Sequence, residues 1–443
     1  MAFRRLVFIF LLFLPFFIFG QTESEKLTLD DCIQLALENN FNLNLAKINH
    51  KISKQNYLQS YSSVLPRISL SYSSSKYEQG PSSYLGGEYV GENPFRAKVI
   101  TGRNYYAEIR AGQTIFDGGR SILNIYKSKY DKMGSSERFL SSRQNIIVTV
   151  RQLYMDLLKQ KKLLAVKKQA VERSRDQLDR VRSMYEVGSV AQVDVFRSEV
   201  NLGADRIALL NQENTERQAR QSLNLAIGRE PDAPLEIDEN VKFEKRVGKL
   251  DSLVQKALQN NPDIKAGELS IKSSLYDVRL AKSAFLPNLN AFYSYSRRVP
   301  QFKGLYEEFN REYSWAVGLS LSWNVFNGFS DYLNVQKAKL GKRYAEQQLL
   351  YDKLNLKSKV TNLYNNLNAI NEIIEINKTN LESAREDYRL AQESYRLGSG
   401  TLLDLRDAQV KLATAEQILV AAEFDAYITY AELQQALGDL VNY

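Results

Sequence analysis

The chain has 443 residues, 44% hydrophobic and 25% charged, with a formal net charge of +8. These proportions exclude a disordered chain and a polytopic helical membrane protein. One cysteine, Cys32, excludes an internal disulfide framework, a Cys-rich zinc site and a redox pair, and one histidine, His50, excludes a multi-histidine metal site. Lys and Arg are spread thinly with no block, so nucleic acid is not an expected partner. No phosphate loop and no nucleophile–base–orienter set occurs, so no catalytic, metal or cofactor-binding residues are expected, and the protein is not read as an enzyme.

Arg4 and Arg5 precede an apolar run from Leu6 to Phe19, with Gly20 as a small residue before Gln21. A positive start and an apolar stretch too short to span a bilayer read as a signal peptide over residues 1–20. No later stretch reaches the length of a membrane-spanning helix, so the mature chain is expected to be exported without one. Cys32 lies in a helical pattern beyond that run, where core packing is its expected role.

The remainder is a tandem duplication. Leu29–Ser74 aligns with Leu250–Tyr295 without a gap, and fourteen of those 46 positions are identical, too many for coincidence of composition. Further on, an offset of 210 pairs Tyr185 with Tyr395, Gly188 with Gly398 and Asp194 with Asp404. The first repeat spans 21–228. It has a helix over 40–65, strands over 67–77 and 103–116, a long helix over 118–187, a tip turn at 188–189 and a return helix over 190–228. A linker, 229–249, follows. The second repeat, 250–438, has a helix over 262–286, strands over 288–298 and 313–325, a long helix over 328–397, a tip turn at 398–400 and a return helix over 401–438. Residues 439–443 form a tail.

Prolines and periodicity set these boundaries. Asn261 before Pro262 reads as an N-cap with Pro at the first helical position. Pro66 and Pro287 stop the preceding helices, because the residue before proline is pushed to extended geometry. The period then switches to two. Tyr313, Trp315, Val317, Leu319, Leu321, Trp323 and Val325 alternate with small or polar residues, the pattern of an outer-membrane barrel strand with aromatics near its ends. Gly118 or Gly119 turns the first repeat out of its strand, and Gly328 does so in the second. The proline-free tracts that follow imply helices about 100 Å long. Heptad seams run along them, Val150, Leu157, Leu164, Val171, Leu178 and Tyr185, then Val360, Leu367, Ile374, Leu381, Tyr388 and Tyr395.

Four barrel strands cannot close on themselves, and an open edge in lipid is not viable. The barrel must be shared: two chains give eight strands with a filled interior, three give twelve around water. The expected fold class is therefore mainly α with a small membrane β-barrel portion contributed by several chains, and residues 78–102 and 299–312 are the expected extracellular loops.

The whole mature chain, about 28–438, resembles the TolC-like outer-membrane efflux proteins. The features that carry the resemblance are the twin ALxNN segments (Ala36–Asn40, Ala257–Asn261), the Leu-Pro steps (Leu65-Pro66, Leu286-Pro287) and the twin YxxGxxxxxD signature (Tyr185–Asp194, Tyr395–Asp404), in that order and duplicated. The resemblance implies a homotrimer with a twelve-stranded barrel in outer-membrane lipid, long antiparallel coiled-coil helices forming a periplasmic α-barrel, and a belt built from 229–249 and the termini. It implies an exit duct of a tripartite efflux or type I secretion system. The implied partners are a periplasmic membrane fusion (adaptor) protein and an inner-membrane pump of RND or ABC type. Tyr185, Gly188, Asp194, Tyr395 and Gly398 would form the periplasmic tip and its docking surface, and Asp404 and Asp407 would ring the pore gate. Asp404 is also placed to form a Thr-x-x-Asp capping box with Thr401. Members can carry a basic residue two positions after the second tip glycine as a gate tether; here that position is Gly400. The alternative is a periplasmic coiled-coil adaptor or structural protein, which would leave the lipid-type strands unexplained.

Overall fold

A computed structural model describes residues 26–80, the short pairs 84–85 and 88–89, and 100–239, 248–307 and 309–440. The signal-peptide segment, the rest of the linker and the last three residues lie outside the described residues. The elements follow the duplication. In the first half they are α1 (Leu29–Asn39), α2 (Phe41–Ser60), β1 (Arg67–Gln79), a small hairpin β2 (Tyr84–Leu85) and β3 (Glu88–Tyr89), β4 (Ile100–Phe116), α3 (Arg120–Glu186) and α4 (Gln192–Ala226). The second half has α5 (Leu250–Asn260), α6 (Pro262–Ser283), β5 (Asn288–Val299), β6 (Tyr313–Ser322), α7 (Ser330–Arg396) and α8 (Leu402–Ala436). The long helices α3 and α7 have 67 residues each, and the return helices α4 and α8 have 35 each. The duplication therefore conserves the lengths of the long and return helices to the residue. Among the described residues no helix is long and apolar enough to cross a membrane.

By internal contacts the chain divides into two units. The first comprises the segment ending at Glu38, Val150–Lys245 and Ala384–Val420. Cys32, Ile33, Ala36, Tyr154, Leu157, Leu158, Leu223 and Ile237 are buried in it. Leu27 pairs in parallel with Ile237, and the Tyr154 hydroxyl donates to the carbonyls of Leu27 (3.2 Å) and Asp238 (2.7 Å). These bonds tie the N-terminal segment to the first part of the linker. Asn224 Nδ2 donates to Pro231 O and Ala233 O, fixing the chain where it leaves α4.

The second unit comprises Asn39–Thr149, Arg246–Ser383 and Ala421–Tyr443. It contains an antiparallel sheet of order β1-β4-β5-β6. Ile68, Leu70 and Tyr72 of β1 share one face with Ile109 of β4, Tyr293 and Tyr295 of β5, and Trp315, Val317, Leu319 and Leu321 of β6, as the register Leu70↔Ile109↔Tyr295↔Trp315 requires. This apolar face is solvent-exposed in the single chain. The other face carries Ser69, Ser71, Glu108, Arg110, Ser294, Ser296, Ser314 and Ser320. Among the described residues β1 and β6 each have one strand neighbour, which leaves the sheet open at both edges.

Local chemistry explains the ends. Asn261 Oδ1 accepts from the backbone N–H groups of Asp263 and Ile264, with Pro262 first in the helix. Asn40 likewise accepts from Leu43 N–H. The helix expected over 40–65 is divided into α2 and a 3₁₀ turn, Tyr61–Val64, because Leu65 before Pro66 is already extended (φ −99°, ψ 151°). The strand expected to reach 325 stops at Ser322. Its partner β5 begins at Asn288, after Pro287, and leaves nothing beyond Ser322 to pair with. In the first half the strands run further than expected, to Gln79 and from Ile100, as a hairpin extending beyond β5. Two short helices, α1 and α5, precede the capping asparagines and were not among the expected elements. Both Gly118 (φ 69°) and Gly119 (φ 79°) take the left-handed turn out of β4. At Gly118 a Cβ would also stand 2.8 Å from the Ser283 carbonyl oxygen.

Candidate functional site: the helical hairpins

The two hairpins end in Schellman turns. In the first, Gly188 N–H donates to Tyr185 O and Ser189 N–H to Met184 O, both at 2.8 Å; in the second, Gly398 donates to Tyr395 O and Ser399 to Ser394 O. Gly188 and Gly398 have φ of 73° and 74°, the left-handed geometry this motif demands. Gly400 donates a further backbone bond to Ser394 O, and Gly400 carries no side chain that could act as a tether.

The paired tyrosines differ. Tyr395 is 8% exposed in a cluster with Val181 and Leu405, ringed by Met184, Val190, Val195 and Leu402. Burial pushes its hydroxyl pKa up. Tyr185 is 43% exposed. The seam along α3 stays at least partly buried through Leu178 and leaves the core only at Tyr185. At that last turn Val181 and Met184 pack against the Tyr395 cluster in its place. In α7 the seam stays at least partly buried through Tyr395.

The acidic residues are engaged within their own chain. Asp404 and Thr401 form a reciprocal cap: Thr401 N–H (3.0 Å) and Oγ1 (2.6 Å) donate to the Asp404 carboxylate, and Asp404 N–H donates to Thr401 Oγ1 (3.2 Å). The side-chain bond, then the backbone bond, hold the Asp404 carboxyl below its usual pKa. Asp407 pairs with Lys411 at 2.5 Å, one turn along α8. In the first half Asp194 pairs instead with Arg197 at 3.6 Å, the residue opposite Asp407 in the repeat.

Sequence reasoning missed the connection between helices. Arg406 of α8 makes a bidentate contact with Asp205 of α4, at 2.8 and 3.0 Å, and donates to Ser174 Oγ of α3 at 3.3 Å. Ser174 Oγ also donates to Asp205. Three helices thus meet at one guanidinium. Burial raises the Asp205 pKa, but the bonds from Arg406 and Ser174 outweigh it, and the carboxyl lies below its ordinary value. A cavity of about 280 Å³ adjoins the pair, lined by Lys167, Arg173, Gln409 and Gln417 among others. Arg173 and Glu416 face each other beside it at 3.9 Å. No sequence signal marks Arg406, because Asp205 lies 201 residues away.

The comparisons with known proteins agree with this architecture. A family model described as outer membrane efflux protein matches residues 32–229 and 253–439. Outer membrane protein TolC of Escherichia coli is 25% identical over 374 residues, covering 81% of this chain and 75% of that protein. The alkaline protease secretion protein AprF of Pseudomonas aeruginosa is 22% identical over 438 residues, covering 97% of this chain and 88% of that protein. The outer membrane channel CmeC of Campylobacter jejuni superposes with a TM-score of 0.79 at 19% identity, over 93% of this chain and 85% of that one. The duplicated helices, the lipid-type sheet and these matches lead to one assignment: the chain belongs to the outer membrane efflux protein family, as an outer-membrane exit duct for efflux or type I secretion.

Proposed function

We propose that three copies of the chain assemble into one duct and that it passes substrates without transforming them. The observation that carries this reading is the four-stranded sheet, apolar on one exposed face and open at both edges. Unpaired strand edges in hydrocarbon cost several kcal/mol per group, so β1 of one copy must pair with β6 of another. Twelve strands leave a water-filled interior, whereas eight are filled by their own side chains. Residues 78–102 and 299–312 then lie outside the cell, and the helices lie in the periplasm. In this reading Tyr185, Gly188, Asp194, Tyr395 and Gly398 form the surface that meets a periplasmic adaptor protein, which couples the duct to an inner-membrane pump of RND or ABC type. The two repeats, 21–228 and 250–438, give each copy two hairpins for that contact.

The gate is assigned to the hairpin region. Asp404 and Asp407 border the pore, Asp404 also capping its helix. Arg406 keeps the closed state by clasping Asp205 and Ser174, in the role that Gly400 cannot fill. Detergent-extracted protein should migrate as a heat-modifiable species and give a trimer mass by native mass spectrometry. A stable monomer or dimer overturns the assembly. A tag inserted near Gly86, outside the described residues, should be labelled on intact cells; labelling that needs permeabilised cells overturns the orientation.

A further inference from the structure

The β5–β6 connection does not stand free beyond the sheet. Arg297, only 4% exposed, reaches from β5 into it and donates to the carbonyls of Leu305 (3.1 Å), Glu307 (3.0 Å) and Arg311 (3.1 Å). Its guanidinium also lies 5.1 Å from the Phe309 ring centroid. The Phe302 ring meets Tyr105 at 5.8 Å and Tyr72 at 6.2 Å, edge-on, and Tyr306 at 5.8 Å. Gly304 lies against Val299 so closely that a Cβ there would stand 3.2 Å from the Val299 Cβ.

Strand register tells which face this loop covers. Arg297 is opposite Tyr313 and Ala107, Ala107 is opposite Tyr72, and Val299 is opposite Tyr105. Directly opposed residues share a face. All of these belong to the apolar face that continues through Trp315, Val317, Leu319 and Leu321. The loop is therefore folded over the outside of the sheet and not over the side that would line the pore. Its rings remain open to the surroundings, Phe309 at 64% exposure. Two residues beyond Tyr105 on the same face, Arg103 stands directly opposite Lys76. Both are exposed, and neither has a carboxylate partner among the described residues. Glu78, next on that face, pairs with neither. Like charges directly opposed across two strands destabilise the pairing unless an anion lies between them.

We propose that this outer rim is a lipid-headgroup site, in which Lys76 and Arg103 bind a phosphate of an anionic lipid in the outer leaflet while Phe302, Tyr306 and Phe309 enter the headgroup boundary. The rings lie between the apolar band and the cations, which is the order in which a leaflet presents acyl chain, interface and phosphate. This inference rests on the outer-membrane barrel reading above, and the test separates the two.

Delipidated, detergent-solubilised full-length protein is titrated with dioleoyl phosphatidylglycerol, dioleoyl phosphatidylcholine or inorganic phosphate, and bound lipid is counted by native mass spectrometry. The trimer mass in the same spectra reports on the barrel reading independently. Wild type should prefer the phosphatidylglycerol, and K76Q/R103Q should lose that preference. At about 1 kcal/mol per basic residue near an anionic surface, the loss is roughly 25-fold. Inorganic phosphate should not displace the bound lipid. The single variant R103Q should show an intermediate loss of roughly fivefold by the same rule, and it serves should the double variant fail to assemble. Equal preference in wild type and variants, no preference in wild type, or displacement by inorganic phosphate overturns the proposal even when the trimer is intact.

Discussion

Arg406 concentrates more of the hairpin chemistry than any residue the motifs mark. Its bonds to Asp205 and Ser174 join α8 to α4 and α3, and a charged hydrogen-bonded contact of this kind contributes roughly 1.5–3 kcal/mol. Arg406→Gln should therefore raise single-channel conductance in planar bilayers; unchanged conductance would place the closed state's support elsewhere. The pH dependence follows from Asp205. Its folded pKa lies below the unfolded value of about 3.9, so its stabilising contribution is complete above that value and fades as pH falls through the folded one. Wild type should keep amide protection around Ser174 and Asp205 at pH 5. R406Q, which leaves Asp205 half-buried with its main partner gone, should lose protection at milder acidity in hydrogen exchange. Cys32 offers a second check: its thiol is fully buried, and burial, then Asp31, push its pKa to about 12. It should resist maleimide until the chain unfolds, whereas rapid labelling of folded protein would contradict the core of the first unit. At this scale the sequence reveals what is local. The Thr401–Asp404 cap is visible as a spacing of three, and Asn261–Pro262 as adjacent residues. The Arg406–Asp205 pair is invisible, since only the fold brings such distant residues together.

Among the elements, the turns and the strand ends are the most revealing. Gly188 and Gly398 hold the two Schellman turns in a left-handed conformation that costs a β-branched residue about 1–2 kcal/mol. Gly188→Val with Gly398→Val should reduce efflux or secretion in cells while the extracted protein still gives the trimer mass. Loss of the trimer with these changes would argue against a separate docking role. The helices and the paired glycines were legible because a 210-residue offset repeats them and prolines punctuate them. The exposure of Tyr185 was not, because Tyr185 and Tyr395 hold equivalent places in the repeat and only the packing at the hairpin, where Val181 and Met184 join the Tyr395 cluster, tells them apart. The end of β6 at Ser322 was also hidden. Trp323 and Val325 continue the alternation, but a strand needs a partner, and Pro287 sets where that partner starts. Trp323 turns its indole N–H to the Phe285 carbonyl instead, at 3.1 Å.

For the whole molecule, the equal lengths of the paired long helices and of the paired return helices set a rule for remodelling. α3 and α7 have 67 residues each and α4 and α8 have 35 each. Removing one residue from a long helix turns everything beyond it by about 100°, carrying Tyr395 and the Arg406 contact out of register. Removing seven from one helix alone keeps its phase but misaligns it with its neighbours. Seven taken at matching levels from all four helices restores both phase and level, and shortens each tract by about 10 Å. Such a variant should assemble and give a trimer mass, while a four-residue deletion at the same levels should not. The length of this protein is thus adjustable only in whole steps, and relatives of different reach should differ by multiples of one step repeated four times along the chain.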